Sequence, residues 1–126
     1  ELKACDRFAT VDTVMAVPLH ASKERARGFN QSQVLVNGIL EEWPLRKAHH
    51  ALMRVARTPS QTRKGRLDRW RNVKEAFQLE GAEDLRGAHV LVVDDVVTTG
   101  ATLESCVRVL QTVPHVRVSV CAAACA

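Results

Sequence analysis

Apolar residues follow three rhythms along this chain: short unbroken runs, runs spaced by three or four, and strict alternation. Residues 13–17 (TVMAV) form an unbroken run stopped by Pro18, which predicts a strand ending at the proline. The next stretch, HASKERARGFNQ, is basic and contains Gly28, and reads as a loop. Across residues 31–42 the pairs Leu35/Ile39 and Val36/Leu40 recur at i, i+4. That predicts a helix ending near Trp43, because Pro44 disfavours helical geometry in the residue before it. Residues 51–56 (ALMRVA) and 76–79 (AFQL) read as short strands. Between them, residues 57–74 are polar, basic and unpatterned, a length that suits a functional arm or a disordered segment better than a plain loop.

Residues 81–87 read as a connection. Residues 89–93 form a continuous β-branched run, expected of a parallel strand covered on both faces. Leu103, Val107 and Leu110 make a helical stripe that Cys106 widens, and Val116, Val118 and Val120 alternate with Arg117 and Ser119 as in a strand with one wetter face. Strands alternating with helices predict an α/β fold with a largely parallel sheet.

The 126 residues suit a single domain spanning 1–126, large enough for a core without disulfides. No apolar run approaches the roughly 20 residues of a membrane helix, so membrane insertion is not expected. The start at Glu1 shows no signal-like apolar region, which favours a cytoplasmic protein, and the missing initiator methionine fits a trimmed or excised chain. Cys5, Cys106, Cys121 and Cys125 form no C-x-x-C pair. Cys121 and Cys125 read either as half of a metal site or, preferably, with the others as buried thiols in a reducing compartment.

Charge changes the picture more. Residues 54–74 carry eight Lys/Arg against one acid, a net +7, in a chain whose total is +4. Such a segment is either a solvated loop or the seat of a polyanionic partner.

The candidate chemistry lies in VLVVDDVVTTGAT, residues 90–102. In parallel sheets ligands bind beyond the carboxyl ends of strands, where this pattern puts Asp94 and Asp95. Val96, Val97, Thr98 and Thr99 are β-branched, so the chain should turn there before coiling near Ala101. Gly100 lets the backbone approach a ligand, and the free N–H groups of the helix start, with the threonine hydroxyls, make a phosphate cradle. No lysine follows, so this is not a nucleoside-triphosphate P-loop. Two carboxylates repel phosphate but accept hydrogen bonds from a vicinal diol and suit a nearby hard cation. The combination suits a sugar phosphate.

These thirteen residues resemble the signature of the type I phosphoribosyltransferases, which bind 5-phosphoribosyl-1-pyrophosphate (PRPP). A second resemblance narrows this. VPLHASKERARGFNQ (17–31) is similar to the ComF, competence-associated subgroup, with its V-P-L stretch and later R-G-F-N-Q. LMRVARTPSQ (52–61), Arg69, Arg71-Asn72 and Ala76-Phe77 resemble the same proteins. Two departures stand out. The cysteine-rich, zinc-binding N-terminal segment common in these proteins is missing here, since only Cys5 precedes the first strand, and TRKG after Gln61 is more basic than the pattern.

The resemblance implies a type I phosphoribosyltransferase fold, a mostly parallel central sheet flanked by helices, with a mobile basic arm. It implies that Asp94 and Asp95 hold the ribose hydroxyls. Thr98, Thr99, Gly100, Ala101 and Thr102 would enclose the 5-phosphate. Leu19, His20, Ala21, Ser22 and Lys23 would form the pyrophosphate loop, with Arg25, Arg27 and Asn30 nearby. Arg57, Arg69 and Arg71 would act from the arm, and Mg²⁺ would sit near Asp94 and Asp95, held mainly through PRPP and water. Arg27-Gly28 either aims a guanidinium inward or is a turn alone, and Gln31 is either a site residue or simply the first of its helix. His20, His49, His50, His89 and His115 show no ligand spacing and read as surface residues, Trp43 as packing at a helix end, and Trp70 as able to stack on a base or a partner.

Two functions follow from the resemblance. The first is Mg²⁺-dependent transfer of a phosphoribosyl group from PRPP to an acceptor, with release of pyrophosphate. The second is a non-catalytic DNA-uptake module that binds single-stranded DNA or a competence helicase, with PRPP as a regulatory ligand. Dimers are usual for this fold, and a homodimer is expected by that analogy alone. A third reading, a relative that kept the fold and lost its ligand, fits poorly with the intact acidic pair.

Overall fold

The computed structural model describes residues 5–19, 25–48, 51–55 and 77–126. Among the described residues lie the strands β1 (Thr13–Ala16), β2 (Arg46–Lys47), β3 (Leu52–Arg54), β4 (Phe77–Leu79), β5 (His89–Val97) and β6 (Arg117–Cys125), with the helices α1 (Gln31–Glu42) and α2 (Ala101–Leu110) and a helical stretch at residues 25–27. Short 3₁₀ turns occupy Asp6–Phe8 and Ala82–Leu85. Four strands form a sheet in the order β2-β1-β5-β6, and every neighbouring pair is parallel. Parallel neighbours need crossovers, and α1 and α2 supply two of them. A separate antiparallel pair, β3 with β4, brackets the basic segment.

The alternation of β5 explains the layers. Val90 and Val92 face one side and pack with Met15, Leu52, Phe77, Leu103, Cys106 and Leu110, so α2 and the β3–β4 pair cover that face. Leu91 and Val93 face the other side and pack with Val14 and Val36 of α1. Val90, Leu91 and Val92 are wholly shielded from solvent. Each such side chain contributes about 1.5–3 kcal/mol by burial, which makes β5 the spine of the fold.

The α1 boundaries agree with the helix read from the sequence. Its C-terminus meets Trp43, whose N–H bonds Ile39 O at 2.9 Å and whose ring packs on the α1 side of the core. Other expectations need correction. The turn expected at Val96-Val97 begins only at Thr98: β5 runs on through Val97, because these β-branched residues pair with Ala124 and Cys125 of β6. β6 likewise extends to Cys125, four residues beyond Cys121. Four residues of strand span about 13 Å, too far for Cys121 and Cys125 to ligate one ion. Nor are the cysteines all buried: Cys106 is, while Cys121 is half-buried and Cys5 and Cys125 are exposed.

His89 is not a surface residue but only 6% exposed. Its Nδ1 lies 2.7 Å from Thr10 Oγ1 and its Nε2 2.8 Å from Ser119 Oγ, a polar row across the amino end of the sheet. His115 is exposed. His20, His49, His50 and Trp70 lie outside the described residues.

Candidate functional site

At the carboxyl end of the sheet, β1 and β5 open onto a polar cavity of about 160 Å³. Val17, Leu19, Arg27, Asn30, Gln31, Ser32, Arg54, Asp94, Asp95 and Thr102 line it. One water needs about 10–15 Å³ on this measure, so the cavity takes a ligand of several polar groups. A smaller hollow of about 40 Å³ adjoins it, lined by the turn at residues 96–103 and by Asp94. Asp94 and Thr102 belong to both.

Asp94 and Asp95 both line the larger cavity although neighbours in a strand normally point to opposite faces. The backbone is irregular at this point. The β5–β6 ladder passes from Asp94↔Ala122 to Val96↔Ala124 with no pairing at Asp95. Asp95 N–H instead bonds Asp94 Oδ1 at 2.9 Å, and Val96 N–H bonds Asp95 Oδ1 at 2.9 Å. The aspartates thus lie inside β5 rather than at its tip, at a local break in pairing. Burial pushes the Asp94 carboxyl above its ordinary range, the adjacent Asp95 adds to this, and a bond from Ser32 opposes it. A carboxylate in that state favours hydroxyl donors or a cation.

The turn after β5 is built by Gly100, whose φ of 83° most side chains avoid. Thr99 Oγ1 accepts the Ala101 N–H at 3.2 Å, and Gly100 O accepts the Glu104 N–H at 2.9 Å. By helix geometry the N–H groups of Thr102 and Leu103 are left without helical acceptors, and both residues line the hollow. The hollow thus places the start of α2, with its unpaired N–H groups, beside Asp94.

Across the cavity, Asn30 caps α1 by accepting the Ser32 N–H at 3.0 Å, and its Nδ2 donates to Val17 O at 3.0 Å. Gly28, with φ of 81°, turns the chain between Arg27 and this cap. Arg27 does line the cavity, as does Gln31, whereas Arg25 is exposed and does not. Leu19, the first residue of the expected pyrophosphate loop, is in place, while His20, Ala21, Ser22 and Lys23 lie outside the described residues. The same holds for Arg57, Arg69 and Arg71 of the arm.

Two lining residues were not singled out from the sequence. Ser32, buried in the first turn of α1, puts its hydroxyl 3.3 Å from Asp94 Oδ1. Arg54, the last residue of β3, carries the charge that the described part of the basic segment brings to the cavity. Its place as the one charge inside the apolar run 51–56 was the available signal. Among the described residues no three His, Cys, Asp or Glu cluster as metal ligands. Asp94 and Asp95 offer carboxylate oxygens of the kind a hard cation takes beside water and ligand oxygens.

Comparison with known proteins agrees with this geometry. Residues 9–124 match the family model described as "Phosphoribosyl transferase domain". The chain is 35% identical over 99 residues to "DNA utilization protein YhgH" of Escherichia coli (strain K12), covering 79% of this chain and 43% of that protein. It is 28% identical over 112 residues to "Competence protein F" of Haemophilus influenzae, covering 88% and 49%. To "Competence protein ComFC" of Bacillus subtilis (strain 168) it is 31% identical over 97 residues, covering 77% and 37%. The chain thus spans about half the length, or less, of the curated relatives it matches. With a parallel sheet, an acidic pair on its central strand and a glycine turn at the next helix, the chain belongs to the phosphoribosyl transferase domain family, in its ComF, competence-associated branch.

Proposed function

We propose that this domain binds PRPP and, with Mg²⁺, transfers its phosphoribosyl group to an acceptor nucleophile. One observation carries the reading: Asp94 and Asp95 share a cavity whose wall, at Asp94 and Thr102, is also the wall of an anion-sized hollow. A ribose 5-phosphate carries a vicinal diol and a phosphate in one molecule, one group for each of the two adjoining spaces.

In this reading the carboxylates accept hydrogen bonds from the diol, and the N–H groups of Thr102 and Leu103 receive the 5-phosphate. Arg27 and Arg54 face the pyrophosphate, aided by the loop that starts at Leu19. When bound, Mg²⁺ would neutralise the departing pyrophosphate, held by Asp94 or Asp95, water and ligand oxygens. The C1–O bond to pyrophosphate breaks as the acceptor bonds to C1, and positive charge grows on the ribose ring. Carboxylates beside the ring and guanidinium groups beside the leaving group stabilise both developing charges.

A thermal-shift series with PRPP, ribose 5-phosphate and pyrophosphate, each with and without Mg²⁺, tests the reading. A ligand at 100 times its Kd stabilises the fold by about 2.7 kcal/mol, so PRPP with Mg²⁺ should raise Tm clearly. An unchanged Tm at high PRPP overturns it.

A second reading is favoured by the relatives named for DNA utilization and competence. The domain would then be a DNA-uptake module, with the +7 segment at residues 54–74 meeting single-stranded DNA or a helicase partner. Single-stranded DNA binding that falls steeply with salt and survives Asp94→Asn/Asp95→Asn supports it.

A further inference from the structure

The cavity has two banks, the loop after β1 and the acidic pair on β5. One tripeptide, Asn30-Gln31-Ser32, touches both. Asn30 Nδ2 holds Val17 O at 3.0 Å, where β1 gives way to the loop. Its Oδ1 fixes the Ser32 N–H, and the Ser32 hydroxyl donates to Asp94 Oδ1 at 3.3 Å, 62 positions away in sequence. Ser32 is 3% exposed although it lines the cavity, so its surroundings are mostly protein.

A serine so early in a helix usually bonds locally. Here the local capping work is already done by Asn30, and the Ser32 hydroxyl is turned across the core to a cavity residue. On Asp94 Oδ1 that bond converges with the one from Asp95 N–H. Two donors on one oxygen fix the plane of the carboxylate, which a single bond from its own neighbour does not. The start of α1 also brings the positive end of the helix dipole to the same carboxylate.

We propose that Ser32 is a positioning residue that sets which way the Asp94 carboxylate faces, while Asn30 fixes the distance between the helix end carrying Ser32 and the loop after β1. The Asp94 carboxylate is thereby tied, through the start of α1, to the end of β1 at Val17. This rests on the reading of Asp94 as a ribose-hydroxyl acceptor.

The test uses the full chain with Ser32→Ala and Ser32→Thr. Calorimetric titration with ribose 5-phosphate and with pyrophosphate, both with Mg²⁺, should show Ser32→Ala weakening ribose 5-phosphate by about tenfold and pyrophosphate by less than about twofold. Ser32→Thr, which keeps the hydroxyl, should recover most of the loss. Equal weakening of both ligands, or none, overturns the proposal.

A ligand-free crystal structure of Ser32→Ala provides an arm independent of the ligand. Asp94 rotated from its place against α1 supports the role, and an unmoved carboxylate overturns it. If the unaltered protein binds no ribose 5-phosphate, the sugar-phosphate reading fails, and the crystal structure still decides the role of Ser32.

Discussion

The guanidinium carbon of Arg54 lies 5.4 Å from the centroid of the Phe77 ring, and the two residues are also the closing backbone pair of the β3–β4 ladder. The ring lies under a half-buried cation that lines the same cavity as Asp94 and Asp95. Among the described residues no carboxylate forms an ion pair with it. In the function proposed above, this cation meets the pyrophosphate. Arg54→Gln should weaken PRPP and pyrophosphate by about tenfold or more, since hydrogen bonds to charged groups contribute about 1.5–3 kcal/mol. Phe77→Leu, which removes the ring face and also thins the core the ring packs in, should cost about twofold to fivefold in affinity and lower Tm as well. Calorimetric titration checks both.

Asp94→Asn should stabilise the ligand-free protein while abolishing PRPP binding. Burial, with Asp95 beside it, raises the Asp94 carboxyl above its ordinary value of 3.8. The folded state therefore holds the proton more tightly than the unfolded state does. The ionised group weakens the fold progressively as pH rises through 3.8 and fully above the raised value. The variant's gain in Tm should be greatest near neutral pH and should close as pH falls below 3.8. Thermal melts of both proteins across that range measure it.

For His89 the sign is reversed. Burial, then the neighbouring Arg117, hold its imidazole below the ordinary 6.5. The unfolded chain takes up the proton first, so this stability is complete above pH 6.5 and is lost as pH falls below it. Urea titrations should show an acid limb starting there, flattened in His89→Gln. His89→Ala, which leaves Thr10 and Ser119 without their ring partner, should cost about 1–3 kcal/mol.

Thiol reactivity should separate the cysteines by depth. Cys5 and Cys125 are exposed and should label with a maleimide at once, and the half-buried Cys121 more slowly. Cys106 is wholly buried, its thiol pushed up to about 12, and should stay unlabelled until the protein unfolds. Mass spectrometry of a labelling time course checks the order.

What the sequence made legible was local. The α1 stripe and the proline after it marked both ends of the helix because each signal acts within one turn. Asp94, Asp95 and residues 98–102 stood out because two acids beside a Thr/Gly turn are poor material for a buried strand and helix. Ser32 gave no such signal: a serine two places after an asparagine looks like cap chemistry, and its reach to Asp94 exists only once α1 packs on β5. β2 has two residues and no rhythm, and pairing with β1 alone makes it a strand. Val96 and Val97 were assigned to the turn because the acids looked like the strand's end, while their partners on β6 lie 28 positions away. His89 is buried by Thr10 and Ser119, neither adjacent to it in sequence.

Asparagine, aspartate and serine are near equals as helix caps, since each offers an oxygen to the first turn. At position 30 that equality breaks, because the amide works at both of its ends. Aspartate would keep the cap and set an oxygen against the Val17 carbonyl, and a serine hydroxyl cannot occupy two places at once. A protein with either residue there would keep its helix and lose the tie to the end of β1 at Val17, so tolerance measured by folding alone would overstate what this position accepts.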